Sequence, residues 1–342
     1  MKALVYTATR KLEWIDWPRP KPGAGEALVR VSAVGVCGSD VHGWLGKSRG
    51  RVPPLVLGHE IAGVVEEIHG DRRVRAREAV AIYPVTGCGE CRYCRDDRDR
   101  LCASRQILGM HAPGGLAEFL KAPAANLYPL PESMDGVAGA LVEPLANALH
   151  FVEYARRDTG AIAILGAGAI GLLMLQVARQ LSVEGVRLFP RIAVAEVNPR
   201  RAALARTRGA DLAVDPRAPG ALAELQSFFG KDGCSAALDA AGFAASRRLA
   251  IQLVAPGGLV GLAGMGEAET AVDCVDLIRR EIRFAGIYGY GRDHFRRAID
   301  WLAGGRIEYK SWISEAQLAD GQRVFEDLAQ PDTRQVKVVL RP

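Results

Sequence analysis

The chain has 342 residues, a length that calls for two cores rather than one, and 49% of it is apolar, enough to fill both. A net charge of +5, with arginines scattered instead of gathered in a block, argues against a dedicated nucleic-acid surface. Seven cysteines suit neither a disulfide-dense scaffold nor a set of pairs, and five of them fall in spacings that suit a metal.

The start, Met1-Lys2-Ala3-Leu4-Val5-Tyr6, has no long apolar core and no small-residue cleavage site, which predicts a reducing, cytoplasmic setting with free thiols. Short alternating strands follow, at residues 2–6 and 26–31, separated by the turn chemistry of Pro18, Pro20, Pro22, Gly23 and Gly25. Residues 61–68 and 79–83 continue the pattern. The N-terminal part is therefore predicted to be mainly β, a small barrel-like sheet whose loops carry Gly35–His42 and Gly58-His59-Glu60.

Those two loops hold a thiol, imidazoles and carboxylates within a short span. Zinc accepts all three ligand types, and a catalytic zinc uses three protein ligands and keeps one position open. Cys37 and His59 are two candidates, while Glu60 and the distant Glu143 compete for the third place. Taken alone, the same residues also read as a small buried hydrophobe and an ordinary strand end.

Next comes Cys88-Gly-Glu-Cys91-Arg-Tyr-Cys94 and then Cys102. Four thiolates this close can fold round one ion as a closed tetrahedral cage, a structural zinc. Their gaps match neither ferredoxin pattern. Arg92, Arg95, Arg98 and Arg100 raise the alternative of a zinc ribbon on nucleic acid, but Asp96, Asp97 and Asp99 cancel most of that charge.

Further on, Glu143 stands in the apolar helical stretch Leu141–Asn147. A carboxylate there is costly unless paired or metal-linked; the competing reading is a first-turn glutamate at a helix start.

From about residue 150 strands alternate with helices. Residues 161–178 are almost apolar enough to span a bilayer, but glycines interrupt the first half and Gln176 the second, so a buried strand, a turn and a buried helix fit better. The turn is Gly166-Ala-Gly168-Ala-Ile-Gly171, with strand before and helix after. That setting makes it a dinucleotide fingerprint, the glycines serving the turn and the approach of a pyrophosphate to the helix N-terminus.

The following strand, residues 192–196, ends on Glu196, placed to bind ribose hydroxyls and to disfavour a 2′-phosphate, hence NAD. Arg200 and Arg201 argue the other way. Glu196 lies thirty residues beyond Gly166 instead of about 20, with the extra length read as a loop over residues 182–191. Strands near 212–214, 235–239, 259–263 and 282–287 complete a six-stranded, doubly wound sheet. Helices near 293–302 and 318–328 follow, and a last strand at 335–340 has no βαβ place and is expected to return to the first domain. Cys234 and Cys274 read as plain core residues, and Trp44, Met110 and His111 as pocket residues.

With both cysteine sets, Gly58-His59-Glu60 and the glycine loop in order, the whole chain resembles the zinc-dependent medium-chain alcohol dehydrogenases, closest to the threonine and polyol (sorbitol-type) branch. The resemblance implies an α/β protein with a GroES-like, mainly β catalytic domain at 1–149 carrying a structural-zinc lobe at about 86–104. A doubly wound parallel Rossmann domain at 150–286 and a C-terminal return at 287–342 complete it.

The resemblance also implies roles. Cys37, His59 and Glu60 or Glu143 would hold the catalytic zinc, and Cys88, Cys91, Cys94 and Cys102 the structural one. Ser39 and His42 match the family's proton relay, and Asp40 the partner of the zinc histidine. Gly166, Gly168, Ile170, Gly171, Glu196, Arg201, Ala263, Gly264, Met265, Ile287 and Tyr288 match cofactor contacts. Gly38 departs from the basic residue that typical members carry on the pyrophosphate, and Arg77-Glu78 from their Gly-Asp turn.

The expected function is reversible hydride transfer between a secondary alcohol (polyol, sugar alcohol or amino alcohol) and NAD, with two zinc ions per chain. A homodimer or homotetramer is expected, with no nucleic-acid or membrane partner. The rivals are a zinc-independent, NADP-linked reductase of the same fold and a non-enzymatic zinc-ribbon binding protein.

Overall fold

The computed structural model describes residues 1–48, 50–70, 73–330 and 332–342. They form two compact units, one of Met1–Ala146 with Tyr290–Pro342 and one of Asn147–Gly289.

The first unit is built on the antiparallel pair Glu26–Gly35 and Glu60–Ile68. Period-2 alternation sends Ala27, Val29 and Val31 to one core and leaves Arg30 outside. Ala79–Ile82 and Leu127–Pro129 extend the sheet on one side, and Phe119–Pro123 pairs with the early half of Glu26–Gly35. A separate three-stranded sheet of Lys11–Asp16, Lys2–Ala8 and Leu55–Val56 packs its apolar residues into the same core.

The strand Lys337–Arg341 joins the other side of the central pair. It runs parallel to Ile313–Gln317 and antiparallel to Glu26–Gly35, with Val339 opposite Gly35. On the far side of Gly35 the register places Glu60. Lys337 lies two residues from Val339 and so on the same face. The register alone therefore brings Glu60, Gly35 and Lys337 together.

The second unit is a six-stranded parallel sheet in the spatial order Leu212–Val214, Arg191–Ala195, Ala161–Leu165, Cys234–Asp239, Val254–Leu262, Arg283–Gly286. Numbered along the chain this is 3-2-1-4-5-6, the doubly wound arrangement. Ala161–Leu165 is buried at every position, which is why it reads as an unbroken apolar run. The fold class is the α/β combination expected. Among the described residues no helix is long and apolar enough to cross a membrane.

Four local expectations fail. The segment read as a loop is a small hairpin, Ser182–Val183 with Val186–Arg187, because Glu184 and Gly185 both adopt positive φ (51° and 81°), the geometry of a tight hairpin turn. Ser39, Asp40 and His42 stand on a short helix, Gly38–Trp44, instead of a loop. Trp44 is no pocket residue: it is 3% exposed and meets the Phe325 ring edge-on at 6.1 Å in the core. Cys274 is exposed at the start of the Cys274–Arg279 helix, while Cys234 is buried as expected.

Candidate metal and cofactor sites

The first site is assembled from one helix start and two strand ends. Cys37 caps the Gly38–Trp44 helix in extended conformation (φ −88°, ψ 150°), and its N–H donates to Asp40 Oδ2 at 3.2 Å. Glu60 opens the Glu60–Ile68 strand with His59 just before it, and Gly58 precedes them at φ +93°, where a Cβ would lie 2.9 Å from Val34 Cγ2. The ligand atoms of Cys37, His59 and Glu60 all lie within 4.8 Å of one another. A thiolate, an imidazole and a carboxylate converging in this way fit a zinc ion.

Behind this trio sits a buried set of charges. Asp40 Oδ1 accepts from Arg51 Nη2 at 3.1 Å and lies 3.3 Å from His59 Nδ1. Burial would push the Asp40 carboxyl up, but His59, Arg51 and the Cys37 N–H outweigh it and hold the group down to about 2. Asp40 is thus an anion that orients His59 and leaves its other ring nitrogen for a ligand. Burial would also lower the His59 pKa, yet the Asp40 and Cys37 charges raise it well above the ordinary value.

Glu60 is 1% exposed and paired with the buried ammonium of Lys337, which also donates to Val36 O at 3.1 Å. Burial alone would favour neutral Lys337; Glu60 and Cys37 reverse this and raise its pKa. The pair fits only because residue 35 is glycine. A Cβ there would run into Glu60 Oε2 and stand 3.0 Å from Lys337 Cε.

Glu143, in the first turn of the Val142–Tyr154 helix, is 7% exposed and stands outside the converging trio. Its neighbours are His59, Glu60, Tyr290 and Lys337. Burial, reinforced by the like charge of Glu60, lifts its carboxyl to about 7 against the pull of His59, Tyr290 and Lys337. The structure therefore brings both acids to the same place, with Glu60 nearer the thiol and imidazole.

Of the residues expected to form a relay, Ser39 Oγ accepts from Arg51 Nη2 at 3.1 Å. His42 lies three residues on, hence on the same helix face. Burial, helped by Lys47 and Arg51, lowers the His42 pKa, so its ring is neutral near pH 7. Met110 lies close to Gly50, and His111 Nδ1 accepts from the Ile107 N–H at 3.1 Å.

The second metal set is Cys88, Cys91, Cys94 and Cys102, whose sulfurs also lie within 4.8 Å of one another. Cys88 Sγ and Cys94 Sγ are 4.0 Å apart, and Cys91 Sγ and Cys94 Sγ 3.6 Å. A tetrahedron with Zn–S bonds of about 2.3 Å has sulfurs about 3.8 Å apart, so the cage matches zinc. The N–H groups of Cys88 and Cys91 donate to Cys102 Sγ and Cys88 Sγ at 3.4 Å; backbone donors bring the Cys88 thiol down to about 7, whereas desolvation pushes Cys94 up to about 12.

In the second unit the predicted cofactor residues gather at the carboxyl ends of the strands, where dinucleotides bind in doubly wound sheets. Gly166, Gly168 and Gly171 form the turn from Ala161–Leu165 into the helix Ala169–Gln180, which also carries Ile170. Gly166 has φ +96°, and a Cβ on Gly171 would overlap Gly166 O. Glu196 is 6% exposed and accepts from the N–H groups of Ala167 (2.6 Å) and Asn198 (2.8 Å), tying the glycine turn to the end of the next strand. Arg201 follows on the helix Pro199–Thr207. Ala263, Gly264 and Met265 leave the end of Val254–Leu262, and Ile287 and Tyr288 the end of Arg283–Gly286.

Sequence reasoning missed Arg51, Lys337, Tyr290 and Asp239. Asp239 is fully buried and accepts from the N–H groups of Ala241 and Gly242, fixing the turn after its strand. Lys337 did leave a trace, a lone cation within the apolar run Val336–Leu340. Arg51 left none.

Comparison with known proteins gives the family and the same two-part fold. The profile of the alcohol dehydrogenase GroES-like domain matches residues 23–132, and that of zinc-binding dehydrogenases residues 169–304. The L-threonine 3-dehydrogenase of Rhizobium etli is 31% identical over 295 residues, covering 84% of each chain. A Sinorhizobium meliloti protein assigned as a zinc-binding dehydrogenase, solved with NADP bound, superposes with a TM-score of 0.89 at 30% identity, covering 100% of this chain and 99% of that one. The Escherichia coli alcohol dehydrogenase rspB, complexed with NADH, gives 0.90 at 27% identity over 100% and 99%.

Proposed function

We propose, for a chain that belongs to the zinc-type alcohol dehydrogenase family, that Cys37, His59 and one or both of Glu60 and Glu143 hold a catalytic zinc. Cys88, Cys91, Cys94 and Cys102 hold a second, structural zinc. The chain is an NAD(P)-dependent oxidoreductase acting on an alcohol. Its substrate in this reading is a secondary alcohol of the polyol or amino-alcohol class, in keeping with a relative that is an L-threonine dehydrogenase. Its preferred cofactor in this reading is NAD, supported by the buried Glu196 carboxylate at the end of the second strand, which would repel a 2′-phosphate.

When bound, zinc supplies Lewis-acid polarisation of the substrate oxygen and the nicotinamide accepts the hydride. The chain's own groups do the rest. Cys37, His59 and the carboxylates set the charge around the metal. Asp40 fixes the His59 ring and is itself fixed by Arg51. Ser39, oriented by the same guanidinium, relays the alcohol proton, accepting it while passing its own hydroxyl proton on, and His42, neutral near pH 7, is the final acceptor and becomes imidazolium.

Two features support the further expectations. Among the described residues the edge strand Arg283–Gly286 has a partner on one side only, and Val275, Ile278 and Phe284 in and near it are exposed, which suits a homodimer or homotetramer. Free, metal-spaced thiols suit a cytoplasmic setting.

The observation that carries the proposal is the convergence of the Cys37, His59 and Glu60 ligand atoms within 4.8 Å. The test is metal analysis with turnover, followed as NADH absorbance over a panel of polyols and amino alcohols. Two zinc ions per chain are expected, falling to one in Cys37→Ala with loss of turnover. An active parent holding one zinc or none would overturn it.

A further inference from the structure

The site contains one buried side chain to which no role has yet been given. Tyr290 is 3% exposed, lies in the first unit at the start of the segment Tyr290–Pro342, and faces the Glu143 carboxyl with its hydroxyl. Among the described residues that hydroxyl is a buried polar atom that completes no hydrogen bond, and the Glu143 carboxyl is the acceptor it interacts with most strongly. Glu60 also lies within its electrostatic reach.

The ring is held from several sides. It stacks on Phe295 at 6.0 Å with an interplanar angle of 16° and meets Tyr83 edge-on at 5.7 Å. Its carbonyl oxygen lies 3.4 Å from the Tyr83 hydroxyl, which donates to Asp99 Oδ1 at 2.6 Å. Asp99 in turn belongs to the four-cysteine lobe, between Cys94 and Cys102, and pairs with Arg292 at 3.4 Å. The phenol is therefore pre-positioned by packing that involves neither carboxylate.

A buried phenol O–H beside a buried carboxylate has one use, to donate to it. Donation to one Glu143 oxygen leaves the other to turn toward His59 and Glu60, its neighbours on the metal side. We propose that Tyr290 is a positioning residue for Glu143: its hydroxyl orients the carboxylate so that Glu143 completes the zinc site. This rests on the reading that Glu143 serves the catalytic zinc. A partner that orients a metal ligand in this way typically matters by about 10–100-fold in metal affinity.

The test compares full-length parent, Tyr290→Phe, Glu143→Gln and the double variant. Zinc affinity is measured by chelator competition and the visible bands are recorded after cobalt substitution, so neither readout depends on turnover. Tyr290→Phe keeps the ring and its packing. The expected result is zinc at the Cys37–His59 site weakened by about 10–100-fold in Tyr290→Phe, a shifted cobalt spectrum and an intact four-cysteine metal. Adding Tyr290→Phe to Glu143→Gln should cost nothing more. If Tyr290→Phe binds zinc like the parent while Glu143→Gln binds it weakly, the Tyr290 assignment falls alone. An equal loss from Tyr290→Phe in both backgrounds overturns it too, because the phenol then acts on something other than Glu143. If Glu143→Gln itself binds zinc like the parent, the ligand reading of Glu143 falls first.

Discussion

Replacing Lys337 by methionine tests the electrostatics of the metal-site region directly. Lys337 and Glu60 have side chains 3% and 2% exposed, so their pair is almost wholly desolvated. Methionine keeps most of the stem that fills the space beside Gly35 but removes the ammonium, which in the zinc-free protein, the form to be assayed, strands the Glu60 carboxylate and the Val36 carbonyl. Breaking a buried pair from one side costs about 3–5 kcal/mol, because the remaining charge stays buried without compensation. All five tryptophans (Trp14, Trp17, Trp44, Trp301 and Trp312) lie in the first unit, so their fluorescence during urea unfolding reports that unit alone. With an m value of about 3 kcal/mol/M, the expected midpoint shift is roughly 1–1.7 M. Glu60→Gln in the Lys337→Met background should recover at least half of the loss, because a neutral amide is far cheaper to bury than a lone carboxylate. A shift below about 0.3 M, or a double variant no more stable than the single one, would refute the reasoning.

The remaining expectations can be checked together. Gly35→Ala puts a methyl group where Glu60 Oε2 now lies; a cost of about 1–3 kcal/mol in the same urea assay and weaker zinc at the Cys37–His59 site are expected, and a neutral result would mean the pair can move aside freely. Cys91→Ala should remove one zinc per chain and lower thermal stability while Cys37 and His59 keep theirs, as metal analysis will show. Glu196→Ala should raise the NADP/NAD ratio of kcat/KM by about tenfold, equivalent to about 1.4 kcal/mol, and raise KM for both cofactors because the Ala167 and Asn198 N–H groups lose their acceptor. An unchanged ratio would show that the carboxylate only braces the turn.

What the sequence made legible was whatever is local. The four-cysteine cage spans fifteen residues and the glycine turn six, so spacing alone displays both. Likewise Ala161–Leu165 is apolar throughout because both its faces are covered. What stayed hidden depends on pairing between distant strands. Lys337 meets Glu60 because two different strands flank Gly35, a register that no window of the sequence contains. Trp44 misled because a helix was read as a loop: in the Gly38–Trp44 helix the indole points to the core while Ser39 and His42 lie elsewhere on its surface. The segment at 182–191 misled in the opposite sense, since a turn of Glu184 and Gly185 is a strong hairpin signal only when the residues beside it can pair.

The pairing at Gly35 also sets a timetable for biosynthesis. Glu60 and Lys337 are 277 residues apart, and the whole of Asn147–Gly289 is translated between them. At about 5–20 residues per second, the ribosome takes roughly 15–55 s to deliver the counter-ion after the carboxylate has been made. During that interval the late end of the Glu26–Gly35 strand, beyond the stretch paired with Phe119–Pro123, lacks its Lys337–Arg341 neighbour and offers an open edge with Cys37 just beyond it, while the intervening unit, contiguous in sequence, is free to fold by itself. The nascent chain is therefore most exposed to thiol oxidation and strand-edge aggregation in its first third, and the closing strand ends that exposure.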